Sequence, residues 1–450
     1  MRSVLLLAYY FPPLGGGGVQ RSLAFTRHLP EFGYRPVVIT GPAAHAVDWG
    51  PVDATLTDGL PASLEVLRVA GPEPPRSGGW GGRAQRLLRR KDAFGSWWIE
   101  GAIEAARERA GGFDVVCASM SPFETAEAAA RIARDAEKPW IADLRDPWAL
   151  DDWRVFPTAL HRRLELQTMR RVLSTASAVV MNTPEATEEL LSNAPELRDK
   201  PVLTITNGFD ARDFEAALPP RDPAVFRIVH AGHVHTSRDA RSSRIARRVL
   251  GGAAPGLDTQ TRSHLYLVDA SQQLLERRPD LRGRLRIELV GPLSDADRLE
   301  LPAFAVSHGY LSHRETIERL RTADLLFLPM HNLAVGLRAR IVPGKAYEYL
   351  AAGAPILGAV PSGDARELLE AVGNADICAP DDAAAMSHAI EHRADDWIAS
   401  TPPPPPDPVL VGRFERRRLT SDLARVLDLV LGGAAGADGV RAPETTEVAR

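Results

Sequence analysis

Residues 3–40 read SVLLLAYYFPPLGGGGVQRSLAFTRHLPEFGYRPVVIT, and the order of residue types in them decides the fold. Ser3 to Ala8 is a short apolar run without alternation, the mark of a parallel strand buried on both faces. Four glycines follow, Gly15, Gly16, Gly17 and Gly18, and lead into a predicted helix that Gly33 caps. Pro36 to Thr40 makes the next strand. Strand, glycine loop, helix, strand is a βαβ opening. A glycine loop at the C-terminal end of a strand lets a ligand approach the backbone closely, and the alternative reading is a flexible turn.

Outward from this opening the rhythm continues. After an interval rich in Gly, Pro and Arg (41–95, with Leu64 to Val69 strand-like), strands are expected at 114–118, 139–143, 178–181 and 202–205. Helices are expected between them at 99–110, 123–136, 158–173 and 184–192. Leu218 to Pro223 reads as a linker, and Phe226 to Ala231 restarts the array. Strands at 284–290, 306–310, 324–328, 356–360 and 375–378 then alternate with helices, a second βα series. Five prolines from Pro402 form a stiff spacer before a helix at 412–431. The class is therefore α/β, two doubly wound parallel-sheet domains at 1–218 and 219–410. A closing helix (411–431) and a mixed-charge tail (432–450), expected to be disordered, complete the chain.

A chain of 450 residues, 44% hydrophobic and 25% charged, has room for two cores. Its 54 basic and 58 acidic residues leave a net charge of −4, which argues against a nucleic-acid partner. Cys117 and Cys378 lie in apolar, strand-like contexts and are expected to be buried free thiols in a reducing compartment. No run approaches the ~18 apolar residues that span a bilayer. The start MRSVLLLAYYFPP has a short apolar run and no small-residue cleavage site, so it reads as a strand rather than a leader. The expected location is the cytoplasm. Leu87 to Lys91 and the Trp97–Trp98 pair suggest either a peripheral contact at the inner membrane face or a loop packed over the domain.

Candidate chemistry sits at strand ends. The stretch GLRARIVPGKAYEYLAAGAPILG, residues 336–358, places a Pro-Gly turn before a helix that carries Lys345 and Glu348 one turn apart on one face. A helix start offers free N–H groups and a partial positive charge, and a cation there opposes the helix dipole, so it needs another reason to be present. Together they could hold the phosphate and sugar hydroxyls of a nucleotide; an ordinary surface salt pair is the other reading. Asp143, Arg145 and Asp146 end a predicted strand, where open α/β sheets bind ligands. The two carboxylates are candidates for orienting an acceptor or acting as base, with Arg145 as an anion contact. A buried Asp–Arg pair that fixes the turn is equally open. His233 and His235 lack partners at metal-ligand spacing, and no Walker or GxSxG motif occurs. No acidic residue ends the second strand, where Thr40 stands, which argues against a dinucleotide dehydrogenase.

Five segments in order, YYFPPLGGGGVQRSLAFTRHL (9–29), EFGYRPVVIT (31–40), PWIADLRDPW (139–148), NGFD (207–210) and PGKAYEYLAAGAPIL (343–357), resemble the family 4 retaining glycosyltransferases. The resemblance runs from Met1 to about Leu431. It implies the GT-B fold, two Rossmann-like domains facing across a cleft, with the C-terminal helix crossing back to the first. It implies a nucleotide-diphosphate sugar as co-substrate, bound by the second domain, with no cofactor and no metal, and an acceptor bound mainly by the first. By that resemblance Glu348 accepts hydrogen bonds from the ribose, and Gly344 and Lys345 lie on the phosphate side. Gly15 to Gly18 then face the diphosphate and the acceptor, and Tyr310 and Leu311 meet the base. The end of strand 226–231 is where an Arg and a Lys usually neutralise the diphosphate; here His233, Arg238 and Arg241 are the residues nearest to it.

Two departures stand out. Many relatives carry a second glutamate eight positions before the ribose-binding one, and Arg340 occupies that place. The histidine common after the strand near residue 118 is absent, with Ser119, Met120 and Ser121 there instead. The first reading is thus a retaining, metal-independent glycosyltransferase of the hexosyltransferase type. A silent GT-B relative that serves as a binding or scaffold subunit is a second, and a nucleotide-sugar epimerase or pseudo-glycosyltransferase a third.

Overall fold

The computed structural model describes residues 1–43, 52–75, 92–109, 111–233 and 250–432. Leu87 to Lys91, Arg238, Arg241 and the tail after Gly432 lie outside the described residues.

The first unit, Met1–Ala46, Val52–Asn207 and Arg416–Arg450, is built on a seven-stranded sheet ordered β3-β2-β1-β4-β5-β6-β7. Its strands are β1 (Arg2–Ala8), β2 (Tyr34–Thr40), β3 (Glu65–Arg68), β4 (Val115–Met120), β5 (Trp140–Leu144), β6 (Ala178–Met181) and β7 (Val202–Thr204). All neighbours pair in parallel, with Leu5 opposite both Val37 and Val116. Successive side chains of β1 go to opposite faces. Leu5 and Leu7 join one apolar cluster, while Val4, Leu6 and Ala8 join another. Because both faces are apolar, both need a cover, which is why the run shows no alternation.

Part of the second cover comes from the far end of the chain. The helix Arg416–Gly432 packs Leu419, Leu423, Val426 and Leu427 into the cluster beneath β1. Tyr34 Oη donates to Asp428 at 2.6 Å, and Arg417 Nε reaches Glu31 at 2.6 Å. The expected closing helix therefore belongs to the first unit and begins at Arg416 rather than near 412. Ahead of it, Asp407 caps a short helix, Pro408–Gly412, its Oδ1 accepting from the Val409 N–H at 2.8 Å. The helix predicted at 99–110 starts earlier, at Ala93, because Asp92 Oδ1 accepts from the Gly95 N–H at 2.8 Å. Trp97 and Trp98 thereby lie on a helix. Trp98 is fully buried edge-on to Tyr9, and its Nε1–H donates to Thr125 at 3.0 Å.

The second unit, Val47–Pro51 and Gly208–Glu415, holds a six-stranded sheet ordered β10-β9-β8-β11-β12-β13. These strands are β8 (Phe226–Ala231), β9 (Leu285–Val290), β10 (Ala305–Gly309), β11 (Leu325–Pro329), β12 (Ile356–Ala359) and β13 (Ala375–Cys378). In each sheet the strand order reverses beside the first strand, and a doubly wound sheet binds its ligand outside the strand ends at such a point. Cys117 and Cys378 are buried free thiols, one in each unit. Among the described residues no helix is long and apolar enough to cross a membrane.

Leu423 is fully buried. Leu423→Ala is expected to destabilise the protein by ~2–5 kcal/mol, whereas a change at an exposed position of the same helix, Arg425→Ala, stays within about 0.5 kcal/mol. Urea unfolding of the two variants measures the contrast.

Candidate functional site

In the second unit, three neighbouring strands end on glycines with positive φ: Gly232 (116°) after β8, Gly291 (135°) after β9 and Gly309 (67°) closing β10. The Gly232 N–H donates to Val290 O at 2.7 Å, and the Gly291 N–H donates to Gly309 O at 2.7 Å. A Cβ on Gly291 would stand 2.5 Å from Gly232 O, and one on Gly232 would stand 2.6 Å from Lys345 Nζ. The strand ends therefore form a bare backbone shelf that no side chain can fill.

Lys345 rises over that shelf from the helix Gly344–Ala352. Pro343 caps this helix without a side-chain bond, and no acidic residue lies in its first turn. Burial, then the charge of Arg262, push the Lys345 amine down to about 7, against the pull of Glu348. Burial also holds His233 below its ordinary range, with Lys345 and Arg262 adding to the effect. Tyr349, fully buried on the same helix, accepts the Ala231 N–H at 2.8 Å and ties the helix to the end of β8. The result is a concentration of positive charge at the end of β8 with a helix N-terminus beside it, a setting built for an anion.

Glu348 is half-buried one turn beyond Lys345. Arg340 is half-buried in the segment before the helix, which is pinned where the Ala339 N–H donates to Ser362 O at 2.8 Å. Tyr310 and Leu311 directly follow the Gly309 end of the shelf, and Tyr310 is 37% exposed. The structure thus gathers Gly344, Lys345 and His233 at one strand end. His230, Arg262 and Tyr349 join them, although the sequence reading did not single them out. His230 left one trace in the sequence, a polar residue directly after the apolar pair Ile228–Val229 of its strand. Arg262 left none.

In the first unit, Gly15 to Gly18 connect β1 to the helix Gln20–His28, and Gly16 has φ 90°. The Val19 cap of that helix makes no side-chain bond. Asp143 lies beneath, fully buried. Both its oxygens take hydrogen bonds from Arg21, at 2.6, 3.0 and 3.0 Å, and Arg21 also donates to Thr206 O at 2.7 Å. Of the two open readings for Asp143, the geometry is that of a buried pair fixing the loop, but its partner is Arg21 rather than the adjacent Arg145.

Arg145 and Asp146 sit at the rim instead. The Arg145 guanidinium lies 5.7 Å from the Tyr10 ring centre and 3.4 Å from Asp146, and a Cβ on Gly18 would stand 2.7 Å from its Nη1. Gly18 is therefore the room in which Arg145 lies. Trp148 carries a left-handed φ of 52°, held by stacking on Phe123 and by its Nε1–H on Glu165 at 2.9 Å. This turn shapes the rim and includes Asp151, whose carboxyl is pushed up to about 7 by burial and by nearby Asp146. Asp151 is a proton-accepting group that spacing alone did not reveal.

The family model described as a glycosyl transferase 4-like domain matches residues 16–208, from the glycine loop to the end of the first array. That match covers most of the N-terminal unit and less than half of the chain. None of the curated proteins matches the sequence. Among solved structures, Anabaena Alr3699/HepE in complex with UDP and glucose is 15% identical, with a TM-score of 0.57 over 95% of this chain and 100% of that one. Sucrose-phosphate synthase from Thermosynechococcus elongatus is 12% identical, with a TM-score of 0.61 over 96% and 100%. A putative UDP-N-acetylglucosamine 2-epimerase from Listeria monocytogenes is 13% identical, with a TM-score of 0.52 over 97% of each. These likenesses are of fold alone: two parallel-sheet domains of the GT-B kind.

Breaking the Asp143–Arg21 pair leaves a buried guanidinium without its counter-charge. Asp143→Asn is expected to cost ~3–5 kcal/mol in urea unfolding, and the double variant Asp143→Leu/Arg21→Met is expected to cost less than that single change.

Proposed function

We propose that the protein is a retaining, metal-independent glycosyltransferase that moves a hexose from a nucleoside-diphosphate sugar to a hydroxyl acceptor such as a glycan, a lipid-linked intermediate or a metabolite. One observation carries the reading: a lysine amine held over a bare glycine shelf at the end of β8, with Glu348 one turn further along the same helix. A glycosyl transferase 4-like domain precedes it in the chain.

The chemistry follows from charge. As the glycosidic bond breaks, the diphosphate leaves with added negative charge, and fixed cations in a partly desolvated site stabilise that transition state. Lys345, Arg262 and the start of the Gly344–Ala352 helix supply the positive potential here, and His233, kept neutral, adds a hydrogen-bonding ring beside them. Glu348 is assigned to the ribose hydroxyls, where a carboxylate accepts hydrogen bonds without opposing the phosphates directly. Asp146, beside Arg145 in the first unit, and nearby Asp151 are assigned to orienting the acceptor hydroxyl, with Arg145 favouring an acceptor that bears a negative group.

Glu348→Ala is expected to weaken UDP binding and sugar transfer by ~1.5–3 kcal/mol, roughly 10- to 150-fold, with an unchanged melting temperature. Calorimetry with UDP and a screen of UDP-, GDP- and dTDP-sugars test this. Absence of binding to all of them sinks the reading, and mass spectrometry of the products separates transfer from epimerisation.

The pH dependence has a definite sign. The free Lys345 amine loses its proton near 7. A bound diphosphate raises that value, so the complex takes up a proton. Affinity for UDP is therefore greatest below about pH 7 and declines as pH rises toward the ordinary lysine range near 10.4. Lys345→Met is expected to bind weakly with a flat profile over the same window.

A further inference from the structure

β8 runs through an apolar core, yet its fifth residue is His230, 1% exposed. Its Nδ1 lies 3.0 Å from the carbonyl oxygen of Phe327 on β11. A carbonyl can only accept, so Nδ1 carries the ring proton and Nε2 presents a lone pair. That lone pair meets Lys345 Nζ at 3.4 Å, at the long end of hydrogen-bond range. The ring also stands edge-on to Phe327, with centres 6.0 Å apart, which fixes its plane. Burial, and then the neighbouring Lys345 charge, keep the imidazole neutral.

We infer that His230 is a positioning residue: anchored on Phe327 O through Nδ1–H, it accepts a hydrogen bond from Lys345 at Nε2 and holds that amine over the Gly232 shelf. The inference rests on the proposed reading of Lys345 as the cation that meets the donor's diphosphate. The chain has only four lysines, at 91, 138, 200 and 345, among its 54 basic residues. An arginine brings a rigid fork of donors, whereas a lysine is a point charge on a flexible stem and needs an external group to fix it. His230 is that group. Among the described residues, the other charged groups that act on Lys345 or on its neighbouring ring are His233 from the end of β8, Arg262 from the segment before the Leu265–Arg277 helix, and Glu348 from its own helix. Of Glu348 and His230, which attract the ammonium, His230 is the one with a ring fixed by the sheet.

The test uses the full chain and three substitutions. His230→Gln places an acceptor oxygen at the reach of Nε2, His230→Asn keeps a donor for Phe327 but is too short for Lys345, and His230→Leu does neither. Lysine amines labelled by reductive ¹³C-methylation report their own titration by NMR, and Lys345→Arg assigns the Lys345 signal. The Asn and Leu variants are expected to lower the titration point of Lys345 in the ligand-free protein and to weaken UDP binding about tenfold, the worth of one hydrogen bond to a charged group. The Gln variant is expected to restore both, at a melting temperature no higher than that of the Asn variant. An Asn variant with unchanged Lys345 titration overturns the inference and leaves His230 a packing residue. So does a Gln variant that binds UDP no better than Leu. If Lys345→Met leaves UDP affinity unchanged, the donor-site reading fails separately, and the NMR titration still decides whether His230 fixes the amine.

Discussion

A parallel strand buried on both faces has nowhere to place a charge except at its ends, and this constraint organises both units. Apolar runs fill the strands, and ionisable groups collect where the strands stop. Among the exceptions, Asp143 in β5 and His230 in β8 are polar residues inside buried strands. Desolvation makes such a group costly unless a partner satisfies it. Each partner arrives from a helix that begins near the strand ends, Arg21 from Gln20–His28 and Lys345 from Gly344–Ala352.

The two solutions differ in what they leave over. Arg21 meets both Asp143 oxygens and a backbone carbonyl, so the pair is closed and holds the glycine loop in place. Lys345 meets a neutral ring through one long contact, while Arg262 repels it. On the proposed reading, an anion that reaches the shelf supplies the counter-charge that this contact does not. The first arrangement is structural and the second is receptive, although each joins a strand to a helix by one polar contact.

Much of the architecture was legible from residue order. Unalternating apolar runs marked the parallel strands, and glycines at their ends marked the turns, because both signals are local consequences of burial and of backbone sterics. Helix starts were read less well where a single capping carboxylate decided them, as at Asp92 and Asp407. Trp97 and Trp98 stood out by type, yet only packing showed that Trp98 belongs to the core against Tyr9. Lys345, Glu348 and the glycine loop were visible as candidates through their positions at helix starts and strand ends.

What the sequence by itself determined is the repeating βα order and the two sheets, and it named candidates for an anion site at strand ends. Tertiary structure alone decided which of them meet. Asp143 and Arg21 are 122 positions apart, and His230 and Lys345 are 115 apart. No local periodicity links such pairs; only the order of strands in the sheet brings them together. That order turned Asp143 from a candidate reacting group into a buried brace, and it set an unremarked histidine beneath the lysine that the sequence had already singled out.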